Sequence, residues 1–230
     1  MTGPYASSPC MAPDLRDADP EHAGEVAHWR RAERLRLRAE RDALGVDARQ
    51  RVGLALVGHL RAVLAARPDL RVLSGYWPIK GEPDLRALLA DLHGAGLTIA
   101  LPVVEVRAAP LVFRRWTPGM RMVRGDWNIP VPPPEAEALL PDVALAPLVG
   151  WDDAAYRLGY GGGYFDRTLA ALVPRPFVIG VGFQAARLAT ILPQPHDIPL
   201  DVIVTEAGVQ VTRPRASGDG SRVERGAGRA

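Results

Sequence analysis

Six short aliphatic runs constrain the fold of this chain more than any other feature of its sequence. Each run has the length and the apolar composition of a buried β-strand. Helical patterns lie between several of them, and such alternation favours a mostly parallel sheet. The sequence therefore predicts the α/β class: a single three-layer domain with an open, mostly parallel sheet and helices on both faces. The runs span residues 71–76, 98–104, 111–116, 143–147, 177–182 and 202–205.

Two helical patterns precede the first strand run, and others lie farther along the chain. Residues 26–44 are dense in arginine, whereas residues 48–66 carry an apolar stripe at helical spacing. Later helical patterns span residues 84–93 and 164–172. Because the ligand crevice of an open parallel sheet lies at the carboxyl ends of its strands, we expect the functional motifs to meet there.

Both ends of the 230-residue chain differ from its middle. Residues 1–22 and 213–230 are rich in proline, glycine, serine and charge and lack aliphatic periodicity. This composition predicts a disordered leader and a disordered tail. The folded α/β domain is expected at residues 23–212, and a hydrophobic content of 47% is enough for a real core.

Charge and cysteine usage bound the partners and the compartment. The formal net charge is only +2, so no global field argues for a nucleic-acid partner. The single cysteine, Cys10, cannot form an internal disulfide, which is typical of a cytoplasmic protein. No apolar stretch approaches the roughly 20 residues of a membrane span, so no membrane partner is expected. A monomer is the favoured oligomeric state.

The strongest local motif is a glycine-rich loop, RLGYGGGYFDRTLA at residues 157–170, between a strand run and a helical pattern. Glycines let successive backbone amides turn towards a phosphate at a helix N-terminus, although a glycine cluster is also typical of an ordinary flexible turn. The guanidinium of Arg157 offers a fork of donors for phosphate, and the carboxylate of Asp166 can hold Mg²⁺. The loop glycines are Gly159, Gly161, Gly162 and Gly163.

A second basic motif lies in the first helical pattern, where five arginines recur at spacings of three and four. Several of them therefore share one helical face. That face is either solvated, or a nucleic-acid surface, or part of a phosphate site; aromatic residues do not interleave with it apart from Trp29. The arginines are Arg30, Arg31, Arg34, Arg38 and Arg41.

Acidic residues stand at two further positions. Glu82 follows a strand run where a helix begins, a place that helix-dipole complementarity alone would explain. His196 and Asp197 precede the last strand run, but neighbours in sequence need not face each other, so the pair is a weak acid/base candidate. One cysteine and scattered histidines argue against zinc.

The loop sequence RLGYGGGYFDR resembles the signature of the 5-formyltetrahydrofolate cyclo-ligase family, also called methenyltetrahydrofolate synthetase. Four other segments resemble this family in the same order, so the similarity runs from residue 29 to residue 206. They are WRRAERLRLRAERDAL, YWPIKGEPDLRALL, MRMVRGDWNIPVP and PQPHDIPLDVIVTE. In the present chain, Gly162 stands where some members have lysine, and WDDAA at 151–155 replaces Phe-Asp-x-x-Gly.

The resemblance implies an ATP-dependent ligase that converts 5-formyltetrahydrofolate to 5,10-methenyltetrahydrofolate, releasing ADP and phosphate. Its partners would be ATP, as co-substrate, and a reduced folate, with Mg²⁺ as the metal. Arg157 and Asp166 are the implied catalytic residues, and Asp166 with Asp197 the implied metal ligands. A same-fold relative acting on another phosphorylated or pterin-like ligand, and an RNA-binding protein, are the alternatives.

The resemblance also implies which residues form the two ligand sites. The ATP residues would be Arg30 or Arg31, Arg34, Arg157, Leu158, Gly159, Tyr160, Gly161, Gly162, Gly163, Tyr164 and Phe165. The folate residues would be Trp77, Glu82, Tyr160, Gly161, Gly162, Gly163 and Tyr164.

Overall fold

The computed structural model describes residues 20–215. The four α-helices are α1 (Pro20–Asp42), α2 (Val46–Ala65), α3 (Arg86–Gly94) and α4 (Tyr164–Ala171). The twelve strands in this range are β1 (Val72–Ser74), β2 (Thr98–Val103), β3 (Val112–Trp116), β4 (Val123–Arg124), β5 (Pro130–Val131), β6 (Ala138–Leu139), β7 (Val143–Pro147), β8 (Gly150–Trp151), β9 (Arg157–Leu158), β10 (Phe177–Val181), β11 (Val202–Thr205) and β12 (Gly208–Thr212). Two 3₁₀ turns span Asp126–Asn128 and Gln184–Ala186.

Eight of these strands form one sheet in the order β12-β11-β10-β7-β1-β2-β3-β6. The five strands from β11 to β2 are parallel, while β12, β3 and β6 add antiparallel edges. The predicted mostly parallel sheet is confirmed, and all six aliphatic runs contain its strands. The remaining strands are mostly two residues long, too short to produce a periodic pattern in the sequence.

The side chains of the central strands alternate between two hydrophobic clusters. Leu145 and Ile179, which are register partners on β7 and β10, pack with leucines of α2 and α3. Their neighbours Ala146 and Val178 pack with Leu37 of α1 and with residues of α4. Because successive strand residues point to opposite faces, α2 and α3 cover one face and α1 and α4 the other. This confirms the three layers.

The carboxyl ends of the parallel strands gather the connections that carry the sequence motifs. The segment with Trp77 and Glu82 follows β1, and the β8–β9 hairpin after β7 leads into the glycine-rich loop. The loop continues into α4. All three motifs therefore meet at the edge where ligands bind in open parallel sheets.

The predicted leader and tail lie mainly outside the described residues, as does Cys10. At the described ends, α1 begins at Pro20, and Nε of Arg215 donates a hydrogen bond to Oδ1 of Asp201 (3.0 Å). Within residues 20–215, none of the helices has both the length and the apolar content that crossing a bilayer requires.

Candidate active site

A cleft of about 420 Å³ opens at the carboxyl edge of the sheet. Its walls come from α1, the segment after β1, the ends of β2 and β7, residue 111, the segment 127–130, the glycine-rich loop, and residues 196–197. Its volume is within the range of small-molecule sites.

Two glycines of the loop are required by its geometry. Gly161 has a φ of 95°, a left-handed conformation that disfavours a side chain. A Cβ on Gly162 would lie 2.8 Å from the ring of Tyr164. The loop then enters α4 through Gly163. The first-turn amides of α4 lack intrahelical acceptors, so this end of the helix suits an anion.

Arg157 and Asp166 form a buried ion pair beside the loop. Nη2 of Arg157 lies 2.9 Å from Oδ2 of Asp166, and the two side chains are 5% and 17% exposed. Arg157 also donates to the carbonyl of Ile198 (3.3 Å), whose amide donates to Asp166 (3.1 Å). Burial lowers the pKa of Arg157, against the opposing effect of the Asp166 charge. The fork predicted to bind phosphate is therefore already engaged by protein groups.

Arg30 is engaged in the same way. Its guanidinium forms an ion pair with Asp197 and donates to the carbonyls of Ile191 and Leu192, each at 2.9 Å. Burial would raise the pKa of Asp197, but hydrogen bonds from Arg30 and from the amide of Gln194 bring it below its ordinary value. Arg30 thus holds the segment 191–197 against α1 and has few donors left for a ligand.

Three cations in the cleft have no ion-pair partner within residues 20–215. Nε of Arg34 donates to the carbonyl of Gly159 (2.7 Å), next to the loop. Arg38 and Lys80 lie over the ring of Tyr160, 5.9 and 5.2 Å from its centroid. Burial lowers the pKa of Arg34, and the nearby Arg30 charge adds to this effect. The glycine-rich loop therefore lies among positive charges that are available to an anionic ligand.

Glu82 is the buried carboxylate of the cleft, only 8% exposed. Its Oε2 accepts a hydrogen bond from the amide of Ile79 (2.9 Å). Burial raises the pKa of Glu82 to about 7, although the Ile79 bond and the charge of Arg41 oppose the change. Trp77 lines the same cleft, with the guanidinium of Arg86 5.1 Å from its ring centroid.

Two aromatic rings meet at another part of the wall. Trp127 and Tyr164 pack edge to face, with their centroids 5.5 Å apart and an interplanar angle of 82°. Trp127 is 65% exposed and has a φ of 54°, which projects this large apolar side chain from a strained turn. An exposed indole beside a cleft is available to stack on a planar ligand.

The structure brings nearly all of the predicted site residues into one cleft. Two stay outside it: Arg31 is exposed on α1, and Leu158 is buried in the core on the opposite side of β9 from Arg157. His196, at the rim, has a side chain that is 75% exposed. The residues brought together are Arg30, Arg34, Trp77, Glu82, Arg157, Gly159, Tyr160, Gly161, Gly162, Gly163, Tyr164, Phe165, Asp166 and Asp197.

Sequence reasoning missed Arg38, Lys80 and Trp127 as cleft residues. Arg38 lies four residues after Arg34, so helical spacing alone could have added it to the same face. Trp127 is part of a segment that resembles the family. Lys80 likewise lies in a segment that resembles the family, YWPIKGEPDLRALL.

The open parallel sheet, the glycine loop at its carboxyl edge and the unpaired cations together define a class: α/β proteins that bind small anionic ligands at the strand ends. The model of the 5-formyltetrahydrofolate cyclo-ligase family matches residues 26–206. The chain belongs to this family.

Individual relatives support this assignment. The chain is 34% identical over 143 residues to a 5-formyltetrahydrofolate cyclo-ligase of Mycolicibacterium smegmatis, covering 59% of this chain and 73% of the relative. It is 32% identical over 135 residues to the Escherichia coli enzyme of the same name, covering 56% and 74%.

Solved structures show the same fold. A 5,10-methenyltetrahydrofolate synthetase from Aquifex aeolicus matches with a TM-score of 0.70 and 27% identity, over 85% of this chain and 98% of that one. A synthetase of the same kind from Mycoplasma pneumoniae matches with a TM-score of 0.65 and 24% identity, over 77% and 98%.

The Arg157 ion pair leads to a first prediction. Arg157→Ala and Arg157→Lys are both expected to lower the melting temperature. Alanine leaves the Asp166 carboxylate without its buried counter-charge, and lysine does not reproduce the planar fork of the guanidinium. ATP affinity per folded molecule is expected to stay near the wild-type value. Melting temperature and ATP affinity should be measured on the same preparations. Normal melting with weakened ATP binding in both variants would assign the fork to phosphate instead.

Proposed function

We propose that this chain converts 5-formyltetrahydrofolate to 5,10-methenyltetrahydrofolate, with ATP cleaved to ADP and phosphate. The observation that carries the proposal is one cleft in which a glycine loop with unpaired cations lies beside a buried carboxylate and aromatic side chains. The loop and its cations suit a polyphosphate, and the carboxylate with the aromatic side chains suits a pterin. The family relatives named above carry the cyclo-ligase activity in their names.

The chemistry turns a poor leaving group into a good one. The formyl oxygen on N5 attacks the γ-phosphorus of ATP, so an O–P bond forms and ADP leaves. N10 then attacks the resulting iminium carbon, the C–O bond breaks, phosphate leaves, and the N10 proton passes to solvent. Such a sequence asks the protein for positioning and charge stabilisation rather than for a covalent nucleophile.

In our proposal the phosphates lie against the glycine loop and the N-terminus of α4. Arg34, Arg38 and Lys80 supply the compensating charge, since they have no ion-pair partner among residues 20–215. Arg30 and Arg157 act behind them by holding Asp197 and Asp166 in place. Charge of this kind stabilises a transferring phosphoryl group most strongly where water is excluded.

The folate lies towards Glu82 in this proposal. A pterin carries N–H groups that an ionised carboxylate accepts with charge-assisted hydrogen bonds. Trp77, Trp127 and Tyr164 offer ring faces or edges to its planar system. The formyl group would then lie between this pocket and the loop, where it meets the γ-phosphate.

Magnesium is proposed as the partner of the ATP phosphates. Of the two proposed ligands, Asp166 is the better suited to hold it. Within residues 20–215, no group of three or more acidic, histidine or cysteine side chains could hold a metal by itself. Asp166 accepts one hydrogen bond on Oδ1 and one ion pair on Oδ2, so it keeps lone pairs for a cation. Asp197 is more fully engaged. Mg²⁺ bound there would neutralise phosphate charge.

The direct test is an absorbance assay for the methenyl product with purified protein, 5-formyltetrahydrofolate and MgATP. Product formation that depends on ATP is expected. A protein that binds ATP but forms no methenyl product would favour a same-fold relative with another substrate.

Arg34 provides a second prediction. Arg34→Met is expected to raise the KM for ATP about 10- to 150-fold, the value of one charged hydrogen-bonded contact, with little change in the KM for folate. Arg36→Met is the matched control, because Arg36 lies on the same helix but pairs with Glu33 and Glu40 at the surface. An unchanged KM for ATP in the Arg34 variant would remove it from the phosphate site.

The arginine helix also bears on the RNA-binding alternative. Arg30, Arg34 and Arg38 line the cleft, and Arg41 is buried, so this face points into the domain rather than to solvent. These positions favour a small anionic ligand. We further propose a cytoplasmic location, supported by the single cysteine, and a monomeric state.

A further inference from the structure

Arg41, in the last turn of α1, is a buried cation that does not line the cleft. It is 5% exposed, and within residues 20–215 no carboxylate lies within ion-pairing distance of it. Its Nη1 donates weakly to the carbonyl of Leu148 (3.4 Å), and its Nε has no hydrogen-bond partner in the described range. Burying an arginine without a counter-charge is costly, so a nearby anion is expected to compensate for it.

The second guanidinium nitrogen of Arg41 leads to the glycine-rich loop. Nη2 donates a hydrogen bond to the hydroxyl of Tyr160 at 2.8 Å. Tyr160 and Glu82 both line the cleft, where the Tyr160 hydroxyl lowers the pKa of Glu82 and the Glu82 carboxylate raises the pKa of Tyr160. An oxygen that accepts from arginine can donate its own hydrogen to a carboxylate. The hydroxyl of Tyr160 is therefore placed to connect Arg41 of α1 with Glu82.

The charged and polar groups around Glu82 belong to three elements. Arg41 faces it from α1, Tyr160 from the glycine-rich loop, and Lys80 from its own segment. The buried hydroxyl of Tyr76 also lies nearby and donates to the carbonyl of Pro83. Asp84, the other close acid, is paired with Arg86. Arg41 is thus the buried positive charge that stabilises an ionised Glu82.

We propose that Arg41 is a positioning residue that joins the glycine-rich loop to Glu82 through the hydroxyl of Tyr160. The inference rests on the proposed function, because Glu82 acts on folate only there. Through Tyr160, the loop that receives phosphate and the carboxylate that receives the pterin would be coupled. Arg41 keeps Glu82 charged and directs it, without touching either substrate.

The link has a pH signature that a general structural role would not produce. Removal of the Arg41 charge should favour the protonated form of Glu82 and move its titration upward by about one pH unit. At pH 7.5, kcat/KM for folate should then fall about threefold, since a titration midpoint moved from about 7 to about 8 leaves a smaller ionised fraction. At pH 9 most of this loss should disappear.

The experiment follows Glu82 directly as well as turnover. In protein with ¹³C-labelled glutamate, the Glu82 carboxyl resonance, assigned through Glu82→Gln, is titrated in the wild type, Arg41→Met and Tyr160→Phe. Tyr160→Phe removes the connecting hydroxyl with no change of charge, so it decides the question if Arg41→Met does not fold. Arg36→Met is the control and should titrate as the wild type does.

An upward midpoint in both variants, with a loss of kcat/KM that recovers at high pH, supports the link. A Glu82 midpoint that stays at the wild-type value in Tyr160→Phe, and in Arg41→Met where it folds, would overturn it. A shifted midpoint in a protein that forms no methenyl product would overturn the proposed function but leave the link standing, because the resonance reports it without turnover.

Discussion

Asp166→Asn is expected to abolish most ATP-dependent turnover and to lower the free energy of unfolding by about 3 kcal/mol. The stability loss has a clear origin. Arg157, whose side chain is 5% exposed, would remain buried without its counter-charge. The loss of turnover follows from the proposed site, because an amide keeps the shape of the side chain but not the charge that a phosphate-bound cation would contact.

A matched control separates the two effects. Asp153→Asn removes the carboxylate of another arginine pair, that with Arg187, but both of its side chains are more than half exposed. Exposed pairs contribute little, so this variant should retain both activity and stability. Turnover in saturating magnesium and denaturant unfolding should be measured for both variants. Undiminished activity of the folded Asp166 variant would remove Asp166 from the site.

The sheet could be predicted from the sequence because its strands are continuously apolar. Strands covered on both faces, such as β7 and β10, need apolar residues at every position, and this produces the short aliphatic runs. The β8–β9 hairpin gave no such signal. Its turn places Ala155 at a φ of 65°, with the Asp152 carboxylate accepting the amides of Ala154 and Tyr156. Local hydrogen bonds to the Asp152 carboxylate, rather than a glycine, maintain this turn.

Two predicted site residues stand outside the cleft for reasons of local geometry. Arg31 is the direct neighbour of Arg30 on α1, and adjacent helical residues point about 100° apart. Leu158 follows Arg157 on β9, where successive side chains point to opposite faces. A sequence motif shows only that these residues occur together. The period of the secondary structure decides which of them faces a ligand.

The pairing of charges could not be predicted from spacing. Arg30 and Asp197 lie 167 positions apart in sequence, and the topology of the sheet alone brings them together. The arginine face of α1 could be predicted from the sequence. Which arginines have a carboxylate partner, and which are left for a ligand, could not. Arg30 and Arg157 have their own carboxylates, whereas Arg34 and Arg38 do not, within residues 20–215. This division decides which arginines a phosphate can recruit.

Glu82→Gln is expected to have the other large effect, and its sign depends on pH. Burial raises the pKa of Glu82 from 4.5 to about 7, so the folded state binds this proton more tightly than the unfolded state does. Proton binding by Glu82 therefore stabilises the folded state fully below pH 4.5, and this stabilisation is lost as the pH rises through 7. Over this interval the wild type should lose about 3 kcal/mol that the neutral variant keeps.

Unfolding by denaturant at pH 4.5 and pH 8.5 measures this difference. The stability of Glu82→Gln relative to the wild type should increase between the two pH values, whereas Glu137→Gln, an exposed control, should show little change. A difference that does not depend on pH would mean that Glu82 titrates as an ordinary exposed carboxyl.

The same variant should lose function while it gains stability. An ionised carboxylate that accepts pterin N–H groups contributes about 1.5 to 3 kcal/mol, so the KM for folate should rise about 10- to 150-fold above pH 7. The KM for ATP should change little, because a carboxylate makes no favourable contact with a phosphate. Below pH 6 the wild type should approach the variant, since its own Glu82 is then mostly protonated. If the KM for ATP rises and that for folate does not, the two pockets are assigned in reverse.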